Sequence, residues 1–101
     1  MIRSILRLPV RPGRERAFEA LFQRLRVLAR ATEVAGMRSG ELLRPRQGAD
    51  YVVVGTWDHA QHYQRWVESP VRAEIGKQLE EFTLTGVGDL YEVVETYHPS
   101  T

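Results

Sequence analysis

The stretch YVVVGTWDHAQHYQRW, residues 51–66, decides the fold because its first seven residues are apolar on both faces of a β-strand. Successive side chains of a strand point to opposite sides, so Tyr51 and Val53 face one side while Val52 and Val54 face the other. A strand with one solvent-exposed face alternates apolar and polar residues, and this strand does not. The pattern therefore predicts a strand that is covered on both sides.

The segments on either side predict the order strand, helix, strand, strand, helix, strand, because period-two and helical apolar patterns follow one another along the chain. Asp58 is suited to cap the helix after the central strand, and Pro70 interrupts that helical region. The predicted elements are strands at 2–10, 36–44, 51–57 and 90–97 and helices from 12 or 14 to about 32, at 59–68 and at 71–82.

This order matches the split βαβ motif of the ferredoxin-like fold, an α+β fold with a four-stranded antiparallel sheet. Both helical regions of that fold lie on one face of the sheet, so nothing within the chain covers the other face. A second copy that lays its sheet against the bare face would bury the central strand on both sides. We therefore expect a homodimer in which the two sheets form an α/β barrel and enclose a dry pocket.

The composition is that of one ordinary globular domain, residues 1–101. Hydrophobic residues make up 43% of the chain, and 14 basic against 13 acidic residues leave a net charge of +1, which argues against a nucleic-acid binder. No stretch approaches the roughly 20 apolar residues that span a bilayer, so we expect no membrane segment. The chain has no cysteine, which fits a cytoplasmic protein.

Two segments resemble a known family: GMRSGELLR at residues 36–44 and YVVVGTWDHAQHYQRWVESP at residues 51–70. They are similar to the antibiotic biosynthesis monooxygenase family of the dimeric α/β-barrel superfamily. Its members typically read G-x-x-x-x-x-L-x-R, then a valine-rich strand ending W-[ED]-S, then F-x-x-W-x-x-S-P. The resemblance implies the same fold and a homodimer. Members oxidise aromatic polyketides to quinones without metal or flavin, degrade haem, or have no assigned activity.

The quinone-forming members place an asparagine and a tryptophan on the third strand, a tyrosine six residues later and an arginine on the following helix. Trp57 and Tyr63 match this set. Val53 stands at the asparagine position, and Gly76 stands at the arginine position with Lys77 beside it. The resemblance therefore implies a shared aromatic half of the site and a different polar half.

The haem degraders combine a tryptophan on the second helix with a haem-ligating histidine and an asparagine on the first strand. Trp66 matches the tryptophan, but the other two positions fall on Gly76 and near Leu6. The resemblance therefore does not imply a haem site, and we expect no bound cofactor.

Oxidation without a cofactor needs an apolar, water-poor cavity and a group that accepts a proton or stabilises the substrate anion, because the substrate itself reduces dioxygen. Trp57, Trp66 and Tyr63 are the catalytic candidates. Their rings can form flat walls for an aromatic ligand, and the Tyr63 phenol can hold the ligand's oxygen. Core packing is the competing interpretation, because large aromatic residues are highly buried on average.

Four further residues are candidates for binding the substrate: Arg7, Arg38, Val53 and His62. Two placements of Arg7 are open: a rim ion pair with a glutamate, or a position between the two sheets of the dimer, where a guanidinium can stabilise a phenolate. Arg38 can play the same part from the second strand. His59 and His62 lie one helical turn apart, and either can act as a base. A metal site needs a third ligand, which the sequence does not offer at a useful spacing, so we expect none.

Three functions stay open at this stage. The leading hypothesis is a cofactor-independent monooxygenase that oxidises a polycyclic aromatic polyketide, or a related phenolic or anthrone substrate, with dioxygen. An aromatic polyketide cyclase of the same fold is the second hypothesis, and a non-catalytic protein that binds small molecules is the third.

Overall fold

The computed structural model describes residues 1–100, which form four strands and four α-helices. Their order agrees with the predicted order, except that the first predicted helix is divided in two. The elements are β1 (Ile2–Pro9), α1 (Glu15–Arg24), α2 (Val27–Ala35), β2 (Ser39–Leu43), β3 (Asp50–Trp57), α3 (Ala60–Val67), α4 (Pro70–Leu79) and β4 (Val87–Glu92).

The four strands form one antiparallel sheet in the order β2-β3-β1-β4, which confirms the predicted ferredoxin-like α+β fold. β3 and β1 are the central strands, and Leu6 pairs with Val53 at their middle. β2 and β4 are the edge strands, so each is paired on one side only. Sequence neighbours β2 and β3 are adjacent in the sheet, as expected for a hairpin.

The helices pack on the face of β3 that carries Tyr51 and Trp57. The ring of Phe18 in α1 lies 5.0 Å from the ring of Tyr51, and the ring of Tyr63 in α3 lies 5.5 Å from that of Trp57, measured between centroids. Both β3 side chains are only 1% exposed. The buried core contains Val10, Phe18, Leu21, Phe22, Val27, Ala31, Ala35, Met37, Tyr51, Trp57, Trp66, Ile75, Leu79 and Phe82.

The opposite face of the sheet carries apolar side chains along β3 and charged ones beside them, and within residues 1–100 no helix covers it. Val52 and Val54 are half-buried there. Three large apolar side chains on the same face of the sheet are exposed: Leu43, Val87 and Tyr91. The chain's own helices cover one side of β3, as predicted. Cover of its other side by a second copy of the chain stays a prediction.

The first helical region breaks at Arg26, where the sequence pattern predicted one helix to about residue 32. Arg26 has φ 52° and ψ 43°, in the left-handed region, and its N–H bonds to the Gln23 carbonyl instead of continuing the helix. The apolar spacing runs through the break, because Phe22 before it and Val27 after it are both buried. The second segment continues to Ala35, where left-handed Gly36 ends it.

The prediction that Asp58 caps the next helix is wrong. His59 is the residue at the cap position of α3, and no side chain bonds to the first-turn amides there. Asp58 instead accepts hydrogen bonds from Arg38. The helix that does have a side-chain cap is α4, where Ser69 accepts from the Arg72 amide at 3.1 Å and Pro70 occupies the first helical position.

The last strand was predicted at 90–97, but β4 spans Val87–Glu92. Its limits are set by its partner, because β1 pairs with it from Arg7 opposite Val87 to Ile2 opposite Glu92. Only one further backbone bond, from the Val93 amide to the Met1 carbonyl at 3.0 Å, extends this pairing within the described residues. Within residues 1–100, the apolar residues after Val93 therefore pair with no other strand.

Candidate active site

A cavity of about 740 Å³ lies between the sheet and the helices of a single chain. The sheet supplies its floor through the inward residues of β1 and β3, and helices α1, α2, α3 and α4 supply its walls. The sequence analysis expected the pocket on the other face, between the sheets of two subunits. The cavity lies between the sheet and the helices because inward-facing residues of the central strands, such as Ser4 and Gly55, are too small to fill the space under the helices.

Trp57, Tyr63 and Trp66 line the cavity together. The rings of Trp57 and Tyr63 meet edge to face, with an interplanar angle of 72°. Trp57 and Trp66 are 1% and 7% exposed and also belong to the hydrophobic core. The two interpretations of these tryptophans, as core and as cavity wall, are therefore compatible.

Trp57 is held in place by a hydrogen bond across the two central strands. Its indole nitrogen donates to the Ser4 hydroxyl at 3.0 Å. Gly55, which is paired with Ser4, makes room for this contact, because a Cβ there would lie 2.9 Å from both Ser4 Oγ and Trp57 Nε1. The sequence analysis did not identify Ser4, since a single serine in an apolar strand gives no signal by itself.

The hydroxyl of Tyr63 reaches across to β4. A Cβ added at Gly88 would lie 3.3 Å from this oxygen, so glycine leaves the hydroxyl space. Within residues 1–100 the Tyr63 hydroxyl makes no hydrogen bond, whereas that of Tyr51 donates to Glu19. Tyr63 lines the cavity, and a phenol without a protein partner can donate a hydrogen bond to a ligand that reaches it.

Val53 and Gly76 also line the cavity, so the two positions where the resemblance implies an asparagine and an arginine both face it. Neither offers a polar side chain. Arg72 lines the cavity one helical turn before Gly76, and it is half-buried. Sequence reasoning missed Arg72, although its position one turn before Gly76 and Ile75 on the same helix face was a readable signal.

Arg7, Arg38 and His62 do not line this cavity. Arg7 is exposed, and its parity places it on the outer face of the sheet. Arg38 forms a two-pronged ion pair with Asp58, with contacts of 2.7 and 3.1 Å, and this hydrogen bonding lowers the pKa of the Asp58 carboxyl. The structure therefore does not bring these two arginines to the aromatic wall.

His62 is half-buried on α3, and its ring lies 5.5 Å from that of His59. Its Nδ1 atom is buried and has no hydrogen-bond partner within residues 1–100. The same part of the chain contains no group of three or more histidine, aspartate or glutamate side chains arranged to hold a metal ion. Leu6 and Gly76, where the resemblance places polar residues of the haem degraders, offer the cavity no such donor.

The fold and the cavity define a class of protein: a ferredoxin-like α+β chain with an aromatic-walled cavity between its sheet and its helices. The model of the antibiotic biosynthesis monooxygenase family matches residues 1–78, and the chain belongs to that family. No curated protein matches the sequence significantly.

Solved structures share the fold at low sequence identity. SnoaB, a cofactor-independent oxygenase from Streptomyces nogalater, is 22% identical with a TM-score of 0.77, and the match covers 94% of each chain. Rv0793 from Mycobacterium tuberculosis is 17% identical, covering 96% of this chain and 98% of that one, with a TM-score of 0.76. NE2512 of Nitrosomonas europaea, a protein of unknown function, is 15% identical, covering 99% and 95%, with a TM-score of 0.76.

None of the helices formed by residues 1–100 combines the length and the apolar character needed to cross a membrane.

Proposed function

We propose that this protein is a cofactor-independent monooxygenase that oxidises a phenolic or anthrone-type polycyclic aromatic compound with dioxygen. The observation that carries the proposal is Tyr63, whose ring packs against that of Trp57 in the lining of the cavity and whose hydroxyl has no hydrogen-bond partner within residues 1–100. Family membership and the structural similarity to SnoaB, which is described as a cofactor-independent oxygenase, support the same reaction class.

The substrate itself supplies the electrons in this reaction. Transfer of a proton from the substrate to water gives an electron-rich carbanion or phenolate, which passes one electron to dioxygen. The substrate radical and superoxide then combine to a peroxide anion, and a proton from water converts it to a hydroperoxide. Loss of water from the hydroperoxide then leaves a ketone. For an anthrone, the methylene carbon becomes a carbonyl, one oxygen atom enters the product and the other leaves as water with the two hydrogens.

In this proposal the protein contributes charge stabilisation and exclusion of water. Tyr63 donates a hydrogen bond to the substrate oxygen as negative charge develops on it. Arg72 adds a positive charge from α4, and it forms no ion pair with a carboxylate within the described residues. Trp57 and Trp66 form the flat walls that hold the ring system.

The test is oxygen uptake with anthrone and naphthol substrates, comparing the wild type with Tyr63→Phe and Arg72→Gln. We expect each variant to lose activity on the order of 10²-fold, because each lacks a group that stabilises the anion. Tyr97→Phe, which removes a hydroxyl from a side chain that is 80% exposed, is the matched control and should keep full activity. Oxygen uptake by the wild type no faster than the uncatalysed reaction would refute the proposal.

A binding protein without turnover is the second candidate, and Val53 is the observation that favours it. This side chain faces the cavity where the oxygenases that the chain resembles have an asparagine. Tight ligand binding with no product would support this alternative. A cyclase is distinguished by product mass, because cyclisation removes water and oxygenation adds oxygen.

We also propose that the working unit is a homodimer joined through the outer face of the sheet. Val52, Val54 and the exposed Leu43 are apolar neighbours on that face, and the exposed Val87 lies beyond Arg7 in the same row. A second copy would remove this surface from water, at roughly 25 cal/mol for each Å² of apolar area buried. Sedimentation at low protein concentration tests this: a folded single subunit would contradict it. Location in the cytoplasm stays a prediction.

A further inference from the structure

Gly76 lies in the middle of α4 and lines the cavity. A Cβ built at this position meets no atom within 4 Å, so the space beside the helix there is open. Glycine is an unfavourable residue inside a helix, because it has more freedom to lose on folding than alanine. Packing does not require glycine at this position, since a side chain would meet nothing.

The position of Gly76 is at the mouth of the cavity. Most lining residues are buried or half-buried, and those that are exposed mark where the cavity meets solvent. Two of the exposed ones belong to α4 or its end, and two lie on the segment that leads into β4. The exposed lining residues are Arg11, Gly76, Glu80, Leu84 and Thr85.

The cavity has room for a ligand larger than two fused rings. At about 740 Å³ it lies in the upper half of the range of about 300–1,000 Å³ that is usual for sites of small molecules. A bicyclic compound held against Trp57 and Tyr63 would leave much of this space unfilled. A longer ring system would extend from that wall towards α4.

We propose that Gly76 determines the size of the ligand, and that a ring system of three or more fused rings extends from the aromatic wall past this glycine into the mouth of the cavity. The inference rests on the proposed function for the aromatic nature of the ligand, but it does not depend on turnover. Arg72, one turn away on the same wall, lies beside the same end of the ligand. A larger side chain at position 76 would occupy the space that the outer ring needs.

The experiment measures binding by titration calorimetry with two matched carboxylates, anthraquinone-2-carboxylate with three rings and 2-naphthoate with two. The variants are Gly76→Leu and Gly76→Ala. Ala73→Leu is the control, because Ala73 is exposed on the same helix and does not line the cavity. Circular dichroism and thermal unfolding establish that each variant is folded.

We expect the wild type to bind the three-ring ligand on the order of tenfold more tightly than the two-ring ligand, since each added group in an apolar pocket raises affinity. Gly76→Leu should lower the affinity for the three-ring ligand about tenfold or more, and the affinity for the two-ring ligand less than about threefold. Ala73→Leu should change neither. Gly76→Ala should weaken the three-ring ligand alone, by a smaller factor, which keeps the test decisive if the leucine variant does not fold.

Equal weakening of both ligands by Gly76→Leu would overturn the inference, and so would a wild type that prefers the smaller ligand or binds neither. A wild type that shows the expected size dependence but no oxygen uptake would refute the proposed function and leave the role of Gly76 standing. The two failures are therefore distinguishable.

Discussion

The indole nitrogen of Trp57 lies 3.0 Å from the hydroxyl oxygen of Ser4, and this bond joins the two central strands at the floor of the cavity. Both residues are buried, with 1% and 6% of their surfaces exposed. A buried donor that loses its partner costs free energy, because no water replaces the bond. The bond therefore fixes the orientation of the ring against which we propose the ligand packs.

Replacing Ser4 with alanine should destabilise the protein by about 1–3 kcal/mol, because the indole N–H is left buried without an acceptor. Urea unfolding measures the change. Ser39→Ala, on the exposed part of β2, is the control and should change the free energy of unfolding by less than about 0.5 kcal/mol. An equal, small effect of both substitutions would show that the Trp57 bond does not stabilise the fold.

Glu19 should make the protein less stable at acid pH. Hydrogen bonds from Arg44, first, and from Tyr51 lower the pKa of the Glu19 carboxyl from 4.5 to about 2. A lowered pKa in the folded state gives stability that is fully present above the unfolded value and is lost as the pH falls. The free energy of unfolding should therefore decline between about pH 4.5 and pH 2.

Glu19→Gln should remove this dependence. Because the Arg44 side chain is 71% exposed and water screens the pair, we expect a loss of about 1–2 kcal/mol at neutral pH and a smaller difference near pH 2. Glu33→Gln, which breaks the exposed pair with Arg26, is the control and should change the free energy of unfolding at neutral pH by less than about 1 kcal/mol. If the free energy of unfolding changed with pH in the same way in the wild type and in Glu19→Gln, Glu19 would not be the source of the acid sensitivity.

Arg26 should be a position where glycine is tolerated within the helical region. Its left-handed φ of 52° is unfavourable for a residue with a Cβ, by roughly 1–2 kcal/mol, and glycine relieves this. Arg24→Gly, in the last turn of α1, should instead cost about 1 kcal/mol. Thermal unfolding compares the two variants. We expect Arg26→Gly to be the more stable variant by at least about 1 kcal/mol. The reverse order would contradict the left-handed conformation of Arg26 between α1 and α2.

Much of the fold could be predicted because apolar periodicity records it directly. The alternation in β1 and the two-sided apolar pattern of β3 gave the central strands and the order of elements. The break at Arg26 could not be predicted, because the apolar spacing runs through it and no glycine or proline marks it. Both limits of β4 were missed because they depend on which residues of β1 pair with it, which is a property of the paired strands.

The candidate site was predicted in part. Trp57, Tyr63, Trp66 and Val53 were singled out from the sequence, and all four line the cavity. The cavity on the helix side was not predicted, because strand parity shows which residues share a face but not how much space the helices leave above it. A pocket between the sheets of two subunits stays a prediction.

The missed polar group was Arg72. The resemblance directed attention to position 76, where the chain has glycine, and the arginine that reaches the cavity lies one turn earlier on the same helix face.

The most direct test of where an aromatic ligand binds is a ¹H–¹⁵N NMR titration of the protein with anthraquinone-2-carboxylate. The chain has two tryptophans, so their indole signals are readily assigned. We expect both indole signals and the Gly76 amide to shift, because Trp57, Trp66 and Gly76 line the cavity. Shifts confined to the outer-face residues Val52 and Val54, with both indole signals unchanged, would place the ligand on the other side of the sheet and contradict the account.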